Sequence, residues 1–299
     1  MRILIAGLLL VFFMACSSGN KTDEQAFLES LDKTKIEDTT ISGEVIGDIL
    51  QRIPSPLEIS VLLKEFDKRY NASFLNSPDN LSRYNSNFKR ALNLGIYGAD
   101  LGYTNIYEQS QDGIKYMSTI KDLADGLNIG QFFELETIGR LASNSNNLDS
   151  LLLITTQNFN AINHYLQSQN RSNLSVLLLT GGWLEALHIT CEVARANPEN
   201  KQLHETIGGQ KIILENIMLL LSFYKESDQN MASLLADMEG LKRSFDKVII
   251  KSIYKESTFE IVDGVMVIKD NSSSSIDITQ ADIENIRSAT LNIRTKIIS

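Results

Sequence analysis

The chain has 299 residues, 43% of them hydrophobic, and a formal net charge of −9 at pH 7. That apolar share is ordinary for a globular protein, and the length suffices for one large domain or two small ones. The acidic balance, with no run of Lys and Arg anywhere, excludes nucleic acid and anionic lipid headgroups as partners of the protein surface.

Met1-Arg2 supplies one positive charge, Ile3 to Met14 form an apolar run broken only by Gly7, and Ala15-Cys16 ends it before the polar Ser17-Ser18-Gly19-Asn20. A charged start, a short apolar stretch and a small residue at the cut are the parts of a secretory signal, and the stretch is too short for a bilayer, which needs about 20 residues. Phe13-Met14-Ala15-Cys16 resembles the bacterial lipobox, departing from it only in Phe13, where Leu is usual. The resemblance implies cleavage after residue 15 and a lipid on Cys16, with membrane binding carried by the acyl chains. Ser17 after the cysteine favours the outer membrane over the inner one and leaves the face open. The chain has two cysteines; with Cys16 lipidated, Cys191 has no partner and the body relies on its apolar core rather than on a disulfide.

Residues 16–55 are expected to be a lipidated N-terminus and flexible tether, with short helical pieces possible at Gln25–Leu31 and Val45–Ile53, punctuated by Pro54 and Pro56. From Leu57 to about Ser252 the apolar spacing is helical. Segments are expected from Leu57, over Asn80–Tyr107, Ile114–Leu127, Phe132–Ala142, Leu148–Gln167, Leu174–Ala196, Glu199–Tyr224 and Asp228–Lys251. Short polar links between long segments predict antiparallel neighbours. The densest apolar run, Ile212 to Phe223, reads as a central buried helix, and Leu174 to Ile189 behaves likewise. Phe259 to Ile268 around Asp263-Gly264 is a hairpin signal. In its register Val262 faces Val265 and Ile261 faces Met266, so Phe259, Ile261, Met266 and Ile268 share an apolar face expected to pack on the helical body, since a lone hairpin is marginal in water. Asp270 to Ser275 reads as a polar loop and Thr279–Ile297 as a final helix. The expected fold class is therefore mainly α, an antiparallel helical bundle or irregular helical-hairpin array with one C-terminal β-hairpin. Its parts are a signal peptide (1–15), the tether (16–55), a helical domain (56–256), and the hairpin with its helix (257–299).

Three residue patterns could carry chemistry. Glu185 and His188, with Glu192 one turn further, place carboxylates and an imidazole on one helix face, a donor set for iron or zinc; a complete di-iron site needs a second Glu-x-x-His, which the chain lacks. Cys191 falls inside an apolar helix, where a thiol is usually inert packing. No nucleophile elbow, zincin motif or phosphate loop occurs, so no catalytic residue and no cofactor is expected. Gly95, Gly98 and Gly102 form a small-residue stripe with Ala91 and Ala99, flanked by Tyr97 and Tyr103 and beside Asp100; Gly181-Gly182-Trp183 interrupts a second helix. Each interior glycine costs roughly 1 kcal/mol relative to alanine. Such stripes serve either a close helix–helix seam or a small-ligand pocket, and both readings stay open here.

Ala91 to Leu101 together with Gly181-Gly182-Trp183-Leu184-Glu185 resembles a group of uncharacterised predicted lipoproteins from Bacteroidota, over about residues 55–255. The resemblance implies an envelope address and a helical fold, and carries no activity. The leading expectation is a non-enzymatic, membrane-anchored envelope component that binds a protein partner. The alternatives are a small-ligand binder using the glycine stripes and a metal-dependent enzyme using Glu185, His188 and Glu192.

Overall fold

A helix apolar on every face has no side to offer water, so it must sit at the centre of whatever it builds. Ser172–Ala196 is that helix: nearly all of its residues from Leu174 to Ala194 are buried. It is long and apolar enough to cross a membrane by length and composition, and it is enclosed by the other helices instead. The computed structural model describes residues 43–51, 53, 63–66, 69–133, 148–262, 265–269, 271 and 273–299. The helices are α1 (Gly43–Gln51), α2 (Asn87–Ile106), α3 (Ser110–Gly126), α4 (Leu148–Ser168), α5 (Ser172–Ala196), α6 (Lys201–Ser222), α7 (Gln229–Ser244) and α8 (Gln280–Ile298), with 3-10 turns at Ala72–Phe74, Pro78–Arg83 and Gly130–Phe133. Strands β1 (Ile249–Ile253), β2 (Thr258–Val262), β3 (Val265–Lys269) and β4 (Ser273–Asp277) lie between α7 and α8. The chain is mainly helical, with a small antiparallel β element near its C-terminus.

The helix starts follow from capping chemistry. Ser86, Asn200 and Asp228 each accept a hydrogen bond from a first-turn amide of α2, α6 and α7. Thr279 and Asp282 close a reciprocal capping box on α8. Ser86 also explains why the expected helix over Asn80–Tyr107 is two pieces. Pro78–Arg83 forms a 3-10 turn and the α-helix begins only after the serine cap. Around α5, α2 packs most extensively, and α8, α6 and α4 complete the surround. The packed residues reach back into the expected tether: α1 buries Ile46 and Leu50, and Ile53 follows them into the core.

The densest apolar run is not the central helix. α6 buries Leu203, Ile207, Leu214, Ile217, Leu220 and Leu221 and leaves Ile212 and Leu219 about half exposed. It is a one-sided helix carrying more apolar residues than its buried face needs. The helix expected over Asp228–Lys251 ends at Ser244, where Phe245 turns fully inward and the β-branched run at Val248 opens β1. β1 pairs with β4, so the serine-rich stretch read as a loop is a strand.

The hairpin register is the expected one, with Val262 opposite Val265 and Ile261 opposite Met266. Its expected packing on the helical body is not found. Phe259, Met266 and Ile268 are 68%, 68% and 66% exposed. The root of the ribbon, β1 and β4, meets α6, where Ile276 lies against Gly208 so closely that a Cβ there would come within 2.5 Å of the isoleucine methyl. β2 and β3 form a second antiparallel pair between β1 and β4 in the chain. The two pairings are out of step by one residue, since Ile253 pairs with Ser273 and Thr258 with Lys269. The signal peptide, Cys16, the piece at Gln25–Leu31, the helix start at Leu57, most of Phe132–Ala142 and the Asp263-Gly264 turn lie outside the described residues.

Candidate functional site

Glu185, His188 and Glu192 lie three and four residues apart, which stacks them along one side of α5. Facing them on α8 are Arg287 and Arg294, whose seven-residue spacing equals that of Glu185 and Glu192. The two helices therefore meet as an acidic row against a basic row. Arg294 grips Glu185 through Nε and Nη2, both at 2.6 Å, in a two-pronged pair with almost no solvent exposure. Arg287 donates to Glu192 at 2.9 Å and to Glu284 at 2.8 and 3.0 Å; Arg195 adds a contact to Glu192 at 3.1 Å. Burial alone would raise the Glu192 carboxyl, but the hydrogen bonds from Arg287 and Arg195 hold it below its usual range.

The metal expectation fails on this pairing. Both carboxylates of the supposed ligand set are engaged by guanidinium groups, and among the described residues no group of three or more His, Cys, Asp and Glu is arranged to hold an ion. His188 instead places Nε2 3.2 Å from the carbonyl oxygen of Phe74, and burial pushes the imidazole below its ordinary value.

A third helix enters from the other side. Asp100 of α2 is fully buried, accepts the backbone N–H of Asn76 on Oδ2 at 3.1 Å, and lies within hydrogen-bonding reach of Glu185. Its Oδ1 receives no hydrogen bond, and neither does Nδ1 of His188. Burial and the adjacent Glu185 push the Asp100 carboxyl well above the usual carboxylate range. Residues 74–77 thread through this cluster. Arg294 donates from Nη2 to Phe74 O at 3.1 Å, Tyr116 donates to Asn76 O at 3.1 Å, Asn76 donates to Tyr84 Oη at 3.0 Å, and Tyr97 donates to Ser77 O at 2.8 Å. Desolvation pushes all three phenols up, so they stand as neutral donors.

Of the residues singled out from sequence, Tyr97, Asp100, Glu185 and His188 come together here. Arg294, Asn76, Tyr84 and Tyr116 join them unannounced; the matched seven-residue spacings on α5 and α8 were the available signal for the arginines. The glycines do something else. A Cβ on Gly95 would overlap the Leu178 carbonyl oxygen and come within 2.6 Å of the Gly182 amide, and a Cβ on Gly181 would overlap the Leu92 carbonyl oxygen. Backbone meets backbone along the α2–α5 seam, and no ligand fits between these glycines. Gly98 faces open space. Gly102 is buried within α2. Trp183 is buried with its Nε1–H on Gln210 at 2.9 Å, and Tyr103 packs against Tyr107 in a tilted arrangement with ring centres 4.7 Å apart. Cys191 is a free, buried thiol pushed up by desolvation, and so a poor nucleophile. A shallow, open depression on the surface is lined by Lys121, Asp125, Asn128, Gly130 and Gln131, none of them among the expected ligand residues.

The cluster is built from groups that could transfer protons, yet Asp100, Glu185, His188 and Arg294 are shut inside the helical body, and only its outer end at Arg195 and Glu284 meets solvent. Its chemistry is mutual satisfaction of buried charge, which ties α2, α5, α8 and the 74–77 segment together. No family model, curated protein or solved structure matches this chain.

Proposed function

We propose that this chain is a lipid-anchored component of the bacterial cell envelope, without catalytic activity of its own, that engages a protein partner through its outer β-ribbon. The observation that carries the reading is the exposed apolar face of Phe259, Met266 and Ile268 on the outer ribbon. A two-stranded ribbon is marginal alone, and exposed apolar surface of this kind marks interaction sites in soluble proteins. Tyr254 and Ile253, also largely exposed, extend the apolar surface toward the root. The enclosure of the polar cluster supports a structural rather than catalytic use of its groups. The lipobox-like Phe13-Met14-Ala15-Cys16 supports the address.

The test places a photo-crosslinking amino acid at position 259 or 268 in intact cells. A discrete adduct is expected from these positions and none from the exposed Asn170 at the far end of α4. The adduct disappears in the Phe259→Ser, Ile268→Ser double variant while its thermal melt matches the parent. Equal crosslinking at 170, or an adduct indifferent to the serines, would overturn the ribbon reading. Incorporation of labelled palmitate that survives Cys16→Ser would overturn the anchor.

A further inference from the structure

The buried cluster does not balance if every acid in it is ionised. Two carboxylates, Asp100 and Glu185, share one guanidinium, Arg294. His188 does not supply the missing positive charge. Its Nε2 can donate to Phe74 O, but Nδ1 has no acceptor, so an imidazolium would bury a second N–H unsatisfied. Next along α5 and α8, Arg195 and Arg287 face Glu192 and Glu284, two against two, and have no charge to lend. Among the described residues, the other groups at this knot are neutral: Asn76 from the 74–77 segment, Tyr84 after the 3-10 turn, Tyr97 from α2, Tyr116 from α3, and Tyr70; the nearest further charges, Asp112 at Tyr70 and Tyr116 and Arg83 at Tyr84, are one of each sign. Glu185 already accepts from Arg294 on both oxygens, whereas Asp100 Oδ1 is left over, buried, without a donor and beside Glu185. A carboxyl proton on Asp100 Oδ1, donated to Glu185, satisfies that oxygen and brings the cluster to zero net charge.

We propose that Asp100 keeps its proton in the folded protein at neutral pH and shares it with Glu185, making the cluster a proton-dependent latch between α2, α5 and α8. Loss of that proton sets two buried carboxylates against one guanidinium, and the latch weakens where Arg294 of α8 crosses Glu185. The sign follows from an acid whose folded value lies above its unfolded one. The contribution is complete below about 3.8, the ordinary aspartate value, and is lost as pH rises through the raised value.

Two measurements on the full-length mature protein test it. The first is infrared spectroscopy of folded protein at pH 7, with and without carbon-13 in the aspartate carboxyl. A protonated-carboxyl band that shifts with the label is expected, and its loss in Asp100→Asn separates it from Asp282, the other buried aspartate among the described residues. The second is urea unfolding of wild type and Asp100→Asn from pH 4 upward. Their unfolding equilibrium constants should diverge by up to roughly tenfold per pH unit until the raised value is passed, wild type weakening relative to the amide. Absence of a label-sensitive band at pH 7 overturns the proposal even if the variant does not fold. A difference between wild type and Asp100→Asn that is flat with pH overturns it as well.

Discussion

Arg294 answers two kinds of oxygen at once, the Glu185 carboxylate and the Phe74 carbonyl. Replacing it by Met leaves a carboxylate buried without its counter-charge, so Arg294→Met should lose about 3–5 kcal/mol in urea denaturation. Arg294→Lys should recover only part of this, because an ammonium cannot reproduce the two parallel N–H bonds. Acid should weaken the protein through different residues. His188 is held below its ordinary 6.5 by burial, so its contribution is complete above pH 6.5 and is lost as pH falls from there toward the folded value. Glu192, net lowered by its arginines despite burial, contributes fully above about 4.5 and loses its share as pH falls through its depressed value. Stability measured down a pH series should therefore decline in two stages. His188→Asn should shrink the first stage, with the part due to His204, also lowered by burial, remaining. Asp100 works in the opposite direction, so the stability maximum should move to higher pH in Asp100→Asn.

Among the elements, the α2–α5 seam gives the sharpest contrast between neighbouring glycines. Gly95→Ala and Gly181→Ala each drive a methyl into the facing backbone and should cost about 1–3 kcal/mol or more. Gly98→Ala, on the open side of the same helix, should instead stabilise by up to about 1 kcal/mol, since nothing opposes the methyl and the helix gains propensity. Paired thermal melts read the difference in sign. This seam also shows what sequence could and could not say. Glycines in a helical pattern announced that something came close, but spacing on one helix cannot tell a facing backbone from a ligand. The hairpin register was readable because alternation and Asp-Gly fix it locally. Its exposure was not, because β4 is a serine-rich strand recognisable only once β1 stands beside it. Likewise Glu185 and His188 were visible as a pair, but the identity of their counter-charge lay about a hundred residues away on α8. Replacing residues 254–272 with a short turn should leave the melting temperature of the helical body unchanged, since Tyr254, Phe259, Met266 and Ile268 contribute exposed rather than buried surface.

At the scale of the whole molecule, stability comes from an enclosed apolar helix and a buried ionic knot, with Cys191 a lone buried thiol. A Cys16→Ser chain made without residues 1–15 should fold, and its melting curve should be the same with and without reductant; a reductant-dependent shift would mean that Cys191 leaves the core to pair with a second chain. The span between Arg294 and Phe74, 220 positions apart in the chain, also bears on timing. Neighbouring pairs such as α2 with α3 and α6 with α7 can zip up locally as they appear, at low loop-closure cost. The stretch around Phe74 waits far longer for its guanidinium, and until then Glu185 and Asp100 belong to an unfinished interior. Assembly of this protein thus has a late clasp. A chain threaded N-terminus first through a membrane would spend most of its transit unclosed, in the interval when a chaperone has the most to hold and a protease the most to cut.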